Sequence, residues 1–246
     1  MNAVTETLSD WRDSIADYLP KGGIARPLAV VLGVYLLVAV ILGMYWSISP
    51  GEFDVQEKAA AYAAEDGGSV VTGSVTTGTL MGVVETLLEK PGGFIHNDIF
   101  PPGLWLDNMP KWAYGVIVHV RDLARSMREV HSRSQSQSLE DPDLALAEPR
   151  FNFNTESWMF PASESEYRDG LNYTRNYFRR LSDVQESNAQ FYARADNLRY
   201  WLSSVENRLG SLSQRLSASV GKRRINTDLA GDDSATQSTA TAGEVE

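Results

Sequence analysis

The groups in this chain best suited to chemistry are three histidines and several carboxylates near proline and glycine; there is no cysteine. His119 and His131 stand twelve positions apart. That exceeds the i, i+4 spacing that sets two imidazoles around one metal, and no H-E-x-x-H motif accompanies them. With His96 they read as ordinary helix and loop histidines, and no metal ligand is assigned. Asp98 and Asp107 flank a Pro-Gly segment, with Arg121, Asp122 and Arg125 further along. Paired carboxylates perform acid/base chemistry when their surroundings separate their pKa values. The plainer role of an acid at a loop end is to cap a helix, as Asp107 would before one opening near residue 110. Glu140, Asp141 and Asp143 lack the alternating ligands and central glycine of a calcium loop. No nucleophile elbow, phosphate loop or dinucleotide fingerprint occurs, so neither catalytic residues nor a cofactor are assigned. Without cysteine, neither disulfides nor thiol chemistry contribute.

The strongest signal is an element rather than a site. Leu28 to Ile48, LAVVLGVYLLVAVILGMYWSI, is uncharged over twenty-one residues. At 1.5 Å per residue it is about 31 Å long, matching a bilayer's hydrocarbon core. A secretory signal has a shorter apolar region and a small-residue cleavage site, whereas here Tyr45, Trp46 and then Ser49-Pro50-Gly51 follow. An uncleaved span is expected. Lys21 and Arg26 precede it, and Lys58 is the first basic residue beyond it, after Glu52, Asp54 and Glu57. Basic flanks stay cytoplasmic, so the N-terminus is expected inside and residue 49 onward outside, with Tyr45 and Trp46 at the outer interface. Ala29-x3-Gly33 and Ala39-x3-Gly43 match small-x3-small packing faces, which makes Ala29, Gly33, Ala39 and Gly43 candidates for self-association in the membrane.

Charge narrows the partners. The whole chain carries −10; residues 1–48 hold three basic and four acidic groups, leaving 19 basic and 28 acidic outside, a net of −9. Nucleic acid needs clustered Lys and Arg, so it is excluded as a partner, and electrostatic adhesion to anionic lipid is disfavoured. Residues 1–20 place Leu8, Trp11, Ile15 and Leu19 at helical spacing beside Asp10, Asp13 and Asp17. They read as a frayed tail, the alternative being a short acidic amphipathic helix on the cytoplasmic side suited to a protein partner.

Beyond the span, helices are predicted from Asp54 to Glu65, ended by Asp66-Gly67-Gly68, and from about 73 or 77 to Lys90, stopped by Pro91-Gly92-Gly93. Residues 94–112, FIHNDIFPPGLWLDNMPKW, mix Phe94, Ile95, Phe100, Trp105 and Trp112 with three prolines. Exposing such groups costs about 25 cal/mol per Å², so the segment must pack on its own domain, enter a partner or touch the bilayer. A helix from about 107 or 110 to Ser134 would share Trp112, Val116, His119, Val120, Leu123, Met127 and Val130 on one face. Ser163 and Glu166 form a capping-box pattern opening a helix through Leu181 to about Gln185. Phe191, Ala195, Leu198, Leu202, Val205, Leu209, Leu212 and Leu216 then step by four and three without a break, a heptad seam. Its Asn, Ser and Gly flanks favour an antiparallel bundle with the preceding helix over an isolated coiled coil. Residues 222–246 are polar and too poor in apolar side chains to order themselves.

Residues 92–167 carry GGFIHNDIFPPGLWLDNMPKWAYGVIVHVRDLARSMREVHSRSQS and EDPDLALAEPRFNFNTESWMFPASESEY. In this stretch the chain resembles an uncharacterised proteobacterial family of single-span inner-membrane proteins, a domain of unknown function. The resemblance implies an inner-membrane protein with a helical exterior, and further helical sequence after the polar tail, making residues 222–246 an internal linker. It implies no activity.

The expected protein is all-α: a short cytoplasmic segment at 1–27, a transmembrane helix at 28–48, a helical periplasmic domain at 49–221 and a disordered tail or linker at 222–246. Its expected work is structural, by contact with envelope proteins or with a second copy. Phe100, Trp105, Trp112, Leu198, Leu202 and Leu209 are the candidate contact residues. A rival is an envelope hydrolase or transferase using Asp98 or Asp107 as an acid; another is a lipid or small-ligand module with an aromatic cleft.

Overall fold

The computed structural model describes residues 25–135, 138–185 and 188–220. The expectations for residues 1–20 and 222–246 lie outside the described residues. Seven α-helices and no strand occur among the described residues, so the class is all-α. The first helix, α1 (Ala25–Trp46), contains Pro27–Trp46, a stretch long and apolar enough to cross a membrane. The chain divides into two compact units, one reaching Tyr192 and including α1, the other starting at Ala193.

In the first unit several helix boundaries have an identifiable cause. The Asp54 carboxylate caps α2 (Val55–Glu65) by accepting the Glu57 N–H at 2.8 Å. At Gly73, which opens α3 (Ser74–Glu89) with φ +96°, the Phe191 ring lies where a Cβ would stand, so only glycine fits. Two glycines in positive φ, Gly92 and Gly93, stop the chain after α3. Next come α4 (Asn108–Ser126), running into a π turn at Met127–His131, then α5 (Pro142–Phe151) and α6 (Ser163–Ser182). Helix α3 packs on α2, α4 and α6, and α5 crosses both α4 and α6. Leu80, Val84, Leu87, Phe94, Ile117, Met127, Phe151, Tyr167 and Tyr177 form the core between them. The Tyr192 N–H closes this unit by donating to the His131 carbonyl at 2.6 Å.

Four details depart from the sequence reading. On α4 the expected Val120 and Met127 are buried and Trp112, Val116 and Leu123 pack on the core, but Ala113, Ile117 and Ala124 join them and His119 is exposed. Helix α5 was not foreseen; Asp141 caps it by accepting from Asp143 and Leu144 N–H groups, with Pro142 in the first turn. The capping box at Ser163 does not form. Ala162 is the N-cap, the Ser163 hydroxyl donates to the Asn154 and Ser157 carbonyls, and Glu166 pairs with Arg150. Phe191 belongs to no helix: it packs on the core of the first unit, its ring 4.9 Å from that of His131.

The described part of the second unit is α7 (Ala195–Val220). Its heptad leucines Leu198, Leu202, Leu209, Leu212 and Leu216 are all exposed, Leu209 at 57% and Leu216 at 68%.

Candidate functional site

The segment after α3 is half core and half surface. Phe94 and Ile95 plunge into the core, Phe94 meeting Tyr167 edge-on at 5.2 Å. Asn97 is buried too, and its Nδ2 donates to the Ser157 carbonyl at 2.8 Å and to Glu164 Oε2 at 2.9 Å. These bonds hold the loop before α6 against the loop before α4. After Asp98 the chain turns outward through Ile99 to Leu106, and Phe100, Leu104 and Trp105 are exposed, Phe100 at 67% and Leu104 at 60%. Beside them in the same unit lies a second exposed apolar run, Trp158-Met159-Phe160.

This outer part rests along α1. The Tyr35 hydroxyl donates to the Pro101 carbonyl at 3.2 Å. A Cβ built on Gly43 would lie 3.4 Å from Pro102 Cβ and 3.9 Å from Leu106 Cδ2. Ala39 is only 2% exposed. At the end of the helix the Trp46 ring covers Gly92, where a Cβ would stand 2.7 Å from the indole.

The contact candidates thus separate. Phe100 and Trp105 share the exposed loop, whereas Trp112 is half buried against the core. Leu198, Leu202 and Leu209 lie on α7, in the other unit. Of the small residues in α1, Gly43 meets the loop and the buried Ala39 lies on the same face, while a Cβ on Gly33 meets nothing within 4 Å; Ala29 precedes Tyr35, where the loop contact begins.

Between the loop and the end of α1 is a cleft of about 230 Å³ lined by Trp46, Asn97, Asp98, Phe100, Trp158 and Glu164, with Ile99, Pro101 and Pro102. Burial, and then the neighbouring Glu164, raise the Asp98 carboxyl above its ordinary range, opposed by Lys90. Lys90, 5% exposed, is pushed down to about 8 by its burial, against the pull of Asp98. Its Nζ reaches only the Pro91 carbonyl, at 3.4 Å, and lies 5.9 Å from the Trp112 ring. Asp98 could donate a proton, but the lining around it is mostly aromatic and proline, with no serine, threonine, cysteine or histidine to be activated. Asp107 stands apart, paired at 2.5 Å with Lys111 on the surface and capping no N–H. His96 bonds the Pro110 carbonyl and stacks on Tyr114, and His131 is lowered by burial while bonding Ser126. No group of three or more acidic or histidine ligands suited to a metal occurs among the described residues.

The Lys90 environment sets a pH dependence. Its ammonium is less stable folded than unfolded, so between about 8 and 10.5 the unfolded chain holds the extra proton and stability rises with pH. Asp98 acts oppositely, favouring the fold as pH falls towards 3.8. In denaturant titrations of the detergent-solubilised chain, stability should rise by on the order of 1–2 kcal/mol from about pH 7.5 to about pH 9.5. Lys90→Met should flatten that rise; an unchanged slope would remove Lys90 as its source.

Sequence reasoning had Asp98 and the aromatic segment in hand but not Glu164, Lys90, Tyr35 or the Trp158-Met159-Phe160 run. The last left a signal, three large apolar residues ahead of Pro161 with no helical partner nearby.

A helical bundle with one apolar helix of membrane-crossing length, and an apolar loop folded along its flank, defines the class of protein. The chain belongs to a bacterial family described as an uncharacterised conserved protein, DUF2333, whose family model matches residues 20–246. Neither a curated protein nor a solved structure matches it.

Proposed function

We propose that the protein is a single-pass component of the bacterial envelope that works by contact rather than by catalysis. In this reading α1 crosses the inner membrane with Lys21 and Arg26 on the cytoplasmic side, and the helical units stand in the periplasm. The uncharged α1 and its basic N-terminal flank support the anchor. The observation that carries the contact role is the heptad row of exposed leucines on α7, a surface that an apolar helix of another envelope protein or of a second copy would cover.

A photo-crosslinking residue placed at Leu202 or Leu209 in living cells tests it. A discrete adduct is expected from both, and none from Ser211 on the opposite side of the helix. No adduct at either seam position, or equal labelling at Ser211, would overturn the contact role.

A further inference from the structure

We propose that the segment from Ile99 to Leu106 is a second membrane element: a loop inserted from the outer face into the lipid leaflet beside α1, with acyl chains as its partner. The inference rests on the anchor reading and adds to it a lipid-embedded surface.

Depth is the first ground. The loop touches α1 at Tyr35 and Gly43, with the buried Ala39 between them on the same face; Tyr35, Ala39 and Gly43 lie eleven, seven and three residues before Trp46. At 1.5 Å per residue these positions fall about 16, 10 and 5 Å below the end of the helix. If α1 spans the bilayer, a segment packed along that stretch is below the headgroups.

Composition is the second. Ile99-Phe100-Pro101-Pro102-Gly103-Leu104-Trp105-Leu106 has no charged residue and is bounded by Asp98 and Asp107. The exposed side chains are those that hydrocarbon accepts and water does not.

Backbone accounting is the third. Lipid offers no partner to a peptide group, so inserted loops must close their own hydrogen bonds. Pro101 and Pro102 carry no N–H. The N–H groups of Leu104, Trp105 and Leu106 donate to the carbonyls of Phe100, Pro102 and Gly103 at 3.1, 3.0 and 3.1 Å. Tyr35 supplies the donor for the Pro101 carbonyl, and its own hydroxyl, deep in the span, is satisfied by the same bond. The span and the loop thus satisfy one another at Tyr35 and Pro101, and the N–H groups of Ile99, Phe100 and Gly103 are the ones for which no acceptor stands among the described residues. Covering Ala39 and Gly43 in this way also takes that small-residue face out of helix pairing between copies.

The chain lacks cysteine, so single cysteines can carry spin labels on the full-length protein in vesicles of phosphatidylethanolamine and phosphatidylglycerol. Labels at Phe100 and Leu104 are compared with one on the lipid-facing residue Leu37 of α1 and one on Leu139, the latter 94% exposed. Collision with oxygen and with a water-soluble nickel chelate is measured. Phe100 and Leu104 should match Leu37, with high oxygen access and the nickel signal lost. If they match Leu139 while Leu37 remains in hydrocarbon, the loop is not inserted and the anchor stands. If both reagents are excluded from them, a protein partner covers the loop and lipid is the wrong occupant. If Leu37 itself reports water, the anchor reading fails and the inserted loop with it.

Discussion

Replacing Phe151 with alanine is expected to cost the fold about 4 kcal/mol, the middle of the range for removing a fully buried aromatic ring. Phe151 ends α5 with no exposed surface, and its ring lies against α6 at Gly170. A Cβ built on Gly170 would stand 2.8 Å from Phe151 Cε1, so glycine there is what lets α5 and α6 touch. Gly170→Val alone should cost about 2 kcal/mol through overpacking. Because the ring is what the valine strikes, the two losses should not add: the double variant should be less destabilised than the sum. Urea titration of the detergent-solubilised chain, followed by helical circular dichroism, measures the cycle. Full additivity would show that the contact does not govern the α5–α6 approach.

The second large effect is electrostatic. Arg180→Met is expected to destabilise the protein by about 3 kcal/mol, as breaking a mostly buried ion pair leaves charge without a partner. From the last turn of α6, the Arg180 guanidinium donates to both Asp141 oxygens at 2.7 and 2.9 Å and, through Nε, to Asp143 at 2.9 Å. Asp141 simultaneously caps α5, so one arginine ties the start of one helix to the end of another. Asp143→Asn should cost much less, since Arg180 keeps Asp141. Equal losses in the two variants, read by the same titration, would contradict this division.

Particular residues show where sequence reasoning reaches. The apolar span, the Asp54 and Pro-Gly-Gly boundaries and the all-helical class follow from local pattern, because caps, breakers and long uncharged runs act within one element. Helix α5 was missed since its ten residues include Pro149 and its stabilising charge, Arg180, is distant in sequence. Asp141 and Asp143, weighed as metal ligands, instead hold that arginine. The Ser163 pattern placed a helix start correctly, yet tertiary carbonyls took its hydroxyl. Half of the aromatic segment entered the core, as Phe94 did, and half lay along α1. Periodicity cannot show that division, which depends on how a loop meets a helix some sixty residues earlier. The exposed α7 seam is the converse case: the heptad was legible, but what covers it is not encoded in its spacing.

The most direct test concerns the single anchor and the side on which the helical body stands. Cysteines are placed one at a time at Leu139 and at Asp10 in the cysteine-free chain, and intact cells are treated with a maleimide that crosses the outer but not the inner membrane. The account predicts labelling at Leu139 before lysis and at Asp10 only after it. Labelling at Asp10 in intact cells with Leu139 protected would contradict it.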